Sequence, residues 1–493
     1  MTLSDQTWDL LVVGGGTAGI VGAKTAAGLG AKVALVERAR TGGDCLWTGC
    51  VPSKSLLAAA AAAAQARRSH ELGVTASDVT VDFAAVLRHV RRAIDTIEPG
   101  DSPESLRAAG VEVLSADARF TSPRTIQADG RTLVFHQALL ATGATPAVPD
   151  LPGLRHAEPL TSDTVWDLQD LPRRLLVMGG GSIGCELGQA FARLGSQVTL
   201  VEVAPRILGN EDPEAAALVH AALAREGVRV LTGNRVVEVI GGPNQGGHAV
   251  LESADGQQEV PYDVLLVAVG RQPQTAGLGL SSARIDVDDR GMVQVDDTLR
   301  TTNRRIWAAG DLTGYPQFTH VAGVHGSLAA SNAVLGLRRK VSLDAIPRVT
   351  FTDPEVAAVG AASWAEGGHR LRTVTRSHHH VDRAVTEDRQ DGFARLVLDA
   401  RHRVVGATVV GPRAGESLAE LTLAVRQRLT TSQVAGTIHA YPTYGDGPWH
   451  AALDDVQARL DAPAVRLATR LLTLARRAWL SLRSDDLDDL TAG

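Results

Sequence analysis

Apolar residues in this chain come in short runs that end on glycine-rich turns. The stretch WDLLVVGGGTAGIVGAKTAAGLGAKVALVER, beginning at Trp8, reads as an apolar strand, a turn, a small-residue helix and a second strand ending in Glu37. Gly14, Gly16 and Gly19 set a G-x-G-x-x-G pattern at the strand-to-helix junction. Glycine there permits a tight turn and lets a pyrophosphate approach the helix N-terminus, while Glu37 can accept hydrogen bonds from a ribose. The same order recurs in RRLLVMGGGSIGCELGQAFARLGSQVTLVEVAPRIL, with Gly179, Gly181 and Gly184 and a strand-end acid at Glu202. Two dinucleotide sites are therefore expected. An acid at the strand end favours a free ribose 2′-hydroxyl, so NADH is preferred over NADPH at the second site, with Arg206 as the residue that could admit a 2′-phosphate.

Further strand-and-turn segments follow the same rule. ALLATGATPAVPDLPG turns at Gly143, VLLVAVGRQPQT at Gly270, and RRIWAAGDLTG delivers Gly310 and Asp311, whose carboxylate could bind a polyol hydroxyl. Because such segments continue after residue 280, the second Rossmann-like unit is read as inserted into the first. From Asp461 onward, Val465, Leu467, Leu471, Leu474 and Trp479 alternate with Arg466, Arg470, Arg476, Arg477 and Arg483. This basic amphipathic helix is expected to pack on its own dimer, with weak contact to a membrane surface as the alternative.

Composition narrows the class. A length of 493 residues suggests about three domains, and a 44% apolar fraction fits an ordinary globular core. The formal charge of −6, from 49 basic and 55 acidic side chains, gives no field for nucleic acid. The start, MTLSDQTWDLLVVGGG, has no basic region or cleavage pattern, and no uncharged run is long enough to span a bilayer, so a cytoplasmic protein is expected.

In a reducing compartment, three cysteines point to redox or metal chemistry rather than a structural framework. Cys185, alone in GGGSIGCELG, reads as a small buried thiol. Cys45 and Cys50 lie in GGDCLWTGCVPSK. Residues five apart in a regular helix sit roughly 8 to 9 Å apart at Cα, beyond the usual disulfide limit. A kinked helix start would close the gap, and Gly49 supplies the backbone freedom. No neighbouring His or Cys completes a zinc site, and the run His378–His380 reads as a polar strand in which at most His378 and His380 share a face. No metal site is expected.

These motifs together resemble the class I flavoprotein disulfide oxidoreductases, the family of dihydrolipoamide dehydrogenase, glutathione reductase and mercuric reductase. The C-x-x-x-x-C-x-P-S-K segment at Cys45, Cys50, Pro52, Ser53 and Lys54 is the most specific element. The resemblance implies an α/β fold of two Rossmann-like dinucleotide-binding domains plus an α+β C-terminal dimerisation domain. Its expected parts are a FAD-binding domain over 1–160 and 280–346, an NAD(P)H-binding domain over 161–279, a dimerisation domain over 347–460, and a tail over 461–493. It implies FAD at the first site, NAD(P)H at the second, and a homodimer. Cys50 resembles the flavin-proximal thiol and Cys45 the interchange thiol that meets the acceptor. Lys54 resembles the lysine near the flavin, Glu186 the acid that pairs with it, and Asp311 the ligand of the ribityl chain. The stretch FTHVAG, residues 318 to 323, resembles the helix start whose amides face the flavin.

One segment departs from the disulfide-reducing members, which carry His-Pro with a Glu four residues on. In TIHAYPTYGDGPWHAAL, Tyr441 takes the histidine position and Asp446 the glutamate position, while His439 stands two residues upstream and His450 beyond. Tyrosine is a poor proton acceptor at neutral pH. It resembles mercuric reductases here, although the tail lacks their cysteine pair. The expected function is electron transfer from NAD(P)H through FAD to a Cys45–Cys50 disulfide and on to a small acceptor, foremost a small-molecule disulfide or dihydrolipoamide-type substrate. The alternatives are a soft metal ion, a quinone reduced by the flavin directly, and a non-catalytic redox-sensing flavoprotein.

Overall fold

The computed structural model describes residues 7–242, 246–362 and 371–488, and side chains only as far as Ser481 in the last helix. The first six residues of the chain and the Arg483 side chain, both used in the sequence reading, lie outside it. Two compact units emerge, one running to Leu343 and including Thr350–Thr352, the other formed by Asp344–Val349 with Asp353 onward.

In the first unit, β1 (Thr7–Val13), α1 (Thr17–Gly28) and β2 (Val33–Glu37) form a parallel crossover. Next come α2 (Gly43–Trp47), α3 (Cys50–Arg68), α4 (Phe83–Ile97) and β3 (Val111–Ser115), which pairs in parallel with β2. The strand Arg131–Leu140 pairs with β1, and Ile306–Ala308 returns from far along the chain to pair with it in parallel, completing a seven-stranded sheet with an antiparallel hairpin at one edge. Between these strands lies a separate five-stranded parallel sheet ordered 229–232, 197–202, 174–178, 264–267, 160–161, together with a three-stranded antiparallel sheet over 235–262.

Close helix packing fixes the centre of this unit. A Cβ on Gly326 would lie 2.2 Å from the Ala18 carbonyl oxygen, and one on Gly22 would lie 3.1 Å from the Gly326 carbonyl oxygen. Two glycines thus let α1 and the helix Thr319–Leu335 touch backbone to backbone, over a core that includes Leu10, Val12, Leu35 and Leu139. That contact sets where the N-terminus of the second helix points.

The second unit is a five-stranded sheet ordered 347–350, 355–360, 404–411, 393–398, 372–377, covered by the helices Ala414–Gln427 and Asp446–Leu460. Here one expectation is corrected. The strand ends at Ser377, whose hydroxyl accepts the His379 N–H, and His378–His380 form a short 3-10 turn instead of continuing it. His378 is fully buried, and burial pushes its pKa down to about 4. Glycine at 392 and 411 makes its hole, because a Cβ at either would lie 2.6 and 2.5 Å from the ring.

Candidate active site

The two glycine turns are built alike. Gly14 and Gly179 have φ of +103° and +106°, and a Cβ on either would lie 2.4 Å from the carbonyl oxygen of Ala141 or Ala268. A Cβ on Gly19 or Gly184 would lie 1.9 Å from the Gly14 or Gly179 carbonyl oxygen. These four glycines are required by packing. Gly16 and Gly181 differ: the nearest atom to a Cβ on Gly16 is 3.8 Å away, and nothing lies within 4 Å of one on Gly181. They leave room for a ligand at the starts of α1 and the helix Ser182–Leu194.

Both strand-end acids brace their turn. Glu37 accepts the Gly15 N–H at 2.6 Å and the Ala39 N–H at 2.8 Å; Glu202 accepts the Gly180 and Ala204 N–H groups, each at 2.7 Å. Their carboxylates are held where a ribose would meet them. Arg206 donates instead to the carbonyls of Gly209 and Glu211 in its own loop.

The cysteine segment is tied to the first turn. Gly42 N–H donates to the Gly15 carbonyl at 2.9 Å, and a Cβ on Gly43 (φ +61°) would lie 2.7 Å from Gly16 Cα. Cys45 sits on α2, which ends at Trp47. A break at Thr48 and Gly49 follows, and Cys50 opens α3. The interruption brings the two thiols into hydrogen-bond contact, which an unbroken helix would prevent.

That contact differentiates the pair. The hydrogen bond from Cys45, aided by the Thr319 hydroxyl 3.3 Å from Sγ and by the Lys54 ammonium, draws the Cys50 thiol down to about 6. Cys45 moves the other way, because its proton is held in the bond to Cys50 and burial disfavours its charge. At neutral pH Cys50 is the thiolate and Cys45 the thiol.

Lys54, one turn after Cys50 on α3, is paired. Its Nζ lies 2.9 Å from Glu186 Oε2 and 4.3 Å over the Phe351 ring, and the other Glu186 oxygen accepts the Phe351 N–H at 2.9 Å. Glu186 is buried, so it is not the solvated helix carboxylate that its residue type favours. Opposite signs are expected from the two partners. Lys54→Met should raise the pH at which Cys50 ionises, and Glu186→Gln, which frees the ammonium, should lower it. Thiol alkylation rate against pH reads both, and identical midpoints in the two variants would remove Lys54 as the source of the effect.

Asp311 is carried on the turn at Gly310 (φ +90°), and burial raises its carboxyl to about 6 against the opposing pull of Arg271, whose Nε lies 3.6 Å away. Arg271 also contacts Asp44 and donates to the Ala144 carbonyl at 2.7 Å. Its buried Nε has no hydrogen-bond partner among the described residues. Gly143 and Gly270 flank the short ribbon that holds this arginine, with φ of +70° and +132°. A buried cation with a spare donor, a buried acid whose ionisation is disfavoured and an open glycine turn fit a flavin dinucleotide, which Gly16, Glu37, Arg271 and Asp311 would hold.

An open cavity of about 410 Å³ lies beside α3, lined by Cys50, Lys54, Ser55, His89 and Ile97. His89, Arg271, Thr319 and Phe351 were missed as site residues from sequence. Thr319 stood inside the FTHVAG stretch, chosen for its amides, yet here its hydroxyl meets the thiolate. Cys185 is buried, and burial raises its thiol.

In the second unit, Tyr441 is exposed and its hydroxyl donates to Asp382, a bond that raises its pKa. The Asp446 carboxylate accepts the Thr443 N–H at 3.0 Å within its own turn. His439 is engaged at both nitrogens, Nδ1 at 2.9 Å from the Thr437 carbonyl and Nε2 at 2.9 Å from the Glu420 carboxylate. His450 packs edge-on against Trp449.

Known proteins share this arrangement. Residues 8–326 match the pyridine nucleotide-disulphide oxidoreductase family, and residues 346–452 match its dimerisation domain. The chain is 37% identical over 448 residues to a mercuric reductase of Streptomyces lividans, covering 89% of this chain and 94% of that one. It is 38% identical over 459 residues to a dihydrolipoyl dehydrogenase of Thermus scotoductus, covering 91% and 97%. Among solved structures, the Cu(II) complex of the HOCl-induced flavoprotein disulfide reductase RclA from Escherichia coli superposes with a TM-score of 0.80 at 26% identity, covering 91% and 99%. With both glycine turns, the paired thiols and the dimerisation segment in place, this chain belongs to the pyridine nucleotide-disulphide oxidoreductases, enzymes that bind FAD and NAD(P)H and work as homodimers.

Proposed function

We propose that this enzyme uses NADH to reduce a thiophilic metal ion held by Cys45 and Cys50. The observation that carries the choice of acceptor is the lack of an available base in the segment 437–446. A disulfide acceptor needs a group that takes the Cys45 proton and returns it to the leaving thiol. His439 is committed at both nitrogens, and Tyr441 is held further from ionisation by Asp382. A soft cation needs no such partner, because it displaces thiol protons on binding. His89 lines the cavity that reaches Cys50, the thiol already ionised.

FAD held at Gly16, Glu37, Arg271 and Asp311 would supply acceptance of the NADH hydride and delivery of two electrons to the cation that the thiols hold. Cys50 holds the negative charge next to that site, Lys54 balances it, and Glu186 fixes Lys54. Cys45, the thiol that keeps its proton, releases it as it joins Cys50 in binding the cation. NADH becomes NAD⁺ with release of one proton, and its two electrons reduce one divalent cation fully or two by one electron each. Preference for NADH is supported by Glu202 at the strand end and by Arg206 being bonded to its own loop. A second reading, reduction of a small disulfide, is favoured by the differentiation of the thiols, which is the resting form of an exchanging pair.

Anaerobic NADH and NADPH oxidation with Hg(II), Cu(II), lipoamide, glutathione disulfide and a soluble quinone separates these readings. Metal-dependent turnover that is faster with NADH and lost in Cys45→Ser is expected. Faster turnover with either disulfide would replace this reading by the second, and quinone turnover that survives in Cys45→Ser and exceeds the others would place the chemistry at the flavin itself.

A further inference from the structure

The last helix, Pro463–Asp488, begins after the residues matched by the dimerisation domain and takes no part in the site. Every side chain from Pro463 to Ser481 is exposed, so none of the described residues of this chain covers its apolar face. At about 100° per residue, Leu467, Leu471, Leu472, Leu474 and Trp479 fall on one half of the helix, and Arg466, Arg470 and Arg477 line the opposite arc. Leu472 is 70% and Leu474 60% exposed, which is unusual for leucine in a folded protein. Five arginines and no acid occur between Asp461 and Asp485.

Three occupants could cover such a face, and charge and width distinguish them. A bilayer-spanning role is excluded by the arginines, and no described helix is long and apolar enough to cross a membrane. Pairing with a second copy of the helix favours a narrow apolar seam flanked by opposite charges. Here the apolar face takes half the circumference, and two copies would bring together ten arginines (five from each) without one acid over that stretch. A wide apolar face, arginines on the far side and a tryptophan at its border, with the Arg476 guanidinium 4.1 Å over the Trp479 ring, match a helix lying in the plane of a lipid headgroup layer.

We propose that this helix docks the enzyme on an anionic bilayer surface, with the leucines and Trp479 in the acyl boundary and the arginines among acidic headgroups. The proposal is independent of which acceptor the enzyme reduces. The test is co-sedimentation of the full-length FAD-loaded protein with phosphatidylglycerol vesicles and with phosphatidylcholine vesicles. At low salt the anionic vesicles should pellet at least about tenfold more protein, and the difference should shrink as salt is raised. Leu471→Ser/Leu474→Ser and Arg470→Gln/Arg477→Gln should each lose this binding by a similar factor, while NADH oxidation with ferricyanide stays unchanged and reports intact folding. Equal binding to both vesicles, or undiminished binding after truncation at Leu460, would overturn the proposal. So would a loss of dimer mass in Leu471→Ser/Leu474→Ser by sedimentation velocity, which would make the face a protein interface.

Discussion

Cys50→Ser is expected to lower acceptor reduction by more than about a thousandfold, because it removes the thiol through which electrons leave the flavin site. The same variant should lose the long-wavelength absorption that a thiolate gives beside oxidised flavin in the two-electron-reduced enzyme. Cys45→Ser should keep that band while losing turnover. The reason is the asymmetry of the pair: the hydrogen bond from Cys45, Thr319 and Lys54 all favour charge on Cys50, whereas Cys45 retains its proton. In the unsubstituted enzyme the band should therefore be full at neutral pH and fade as pH falls through about 6. The linkage has the same sign. A depressed thiol pKa contributes stability that is complete above the ordinary value near 9 and is lost as pH drops toward 6. A band retained in Cys50→Ser but lost in Cys45→Ser would reverse the assignment.

Gly181→Ala gives the second large effect, and it separates binding from packing. Its φ of −73° and ψ of −175° suit alanine, and no atom lies within 4 Å of the added methyl. The variant should fold with unchanged thermal stability and keep FAD, yet raise KM for NADH by roughly tenfold or more, since the methyl stands where the pyrophosphate must approach. Gly184→Ala should fail differently. Its Cβ would sit 1.9 Å from the Gly179 carbonyl oxygen, so the second sheet and helix would be forced apart and the protein would lose stability. An unchanged KM in a well-folded Gly181→Ala would remove the second turn as the nicotinamide dinucleotide site.

These two residues also mark how far the sequence alone could be read. The G-x-G-x-x-G turns were legible because their constraints are local: Gly14 and Gly19 meet each other within one turn of chain, and Glu37 reaches back only to the next strand. The helix break between Cys45 and Cys50 was legible from Gly49 and the spacing. Arg271, Thr319 and Phe351 were not, because each reaches the site from far along the chain and carries no motif of its own; the Cys50 to Thr319 contact spans 269 residues. The pairing of Lys54 with Glu186, 132 residues apart, came only through family resemblance. His378 was misread as a strand residue since the glycines that make its burial possible are remote from it in sequence, Gly392 just before the strand Phe393–Leu398 and Gly411 at the end of Val404–Gly411. The engagement of His439 by Glu420 likewise depends on a helix that no local pattern ties to it.

The central claim is that electrons from NADH reach the Cys45–Cys50 pair. It is tested most directly by counting thiols. Air-oxidised holoenzyme is treated anaerobically with one equivalent of NADH per FAD, alkylated, and mapped by mass spectrometry. The expected result is that Cys45 and Cys50 are both protected before NADH and both labelled after it, with Cys185 unlabelled throughout under native conditions. Flavin bleaching by NADH with Cys45 and Cys50 labelled to the same extent before and after would contradict it.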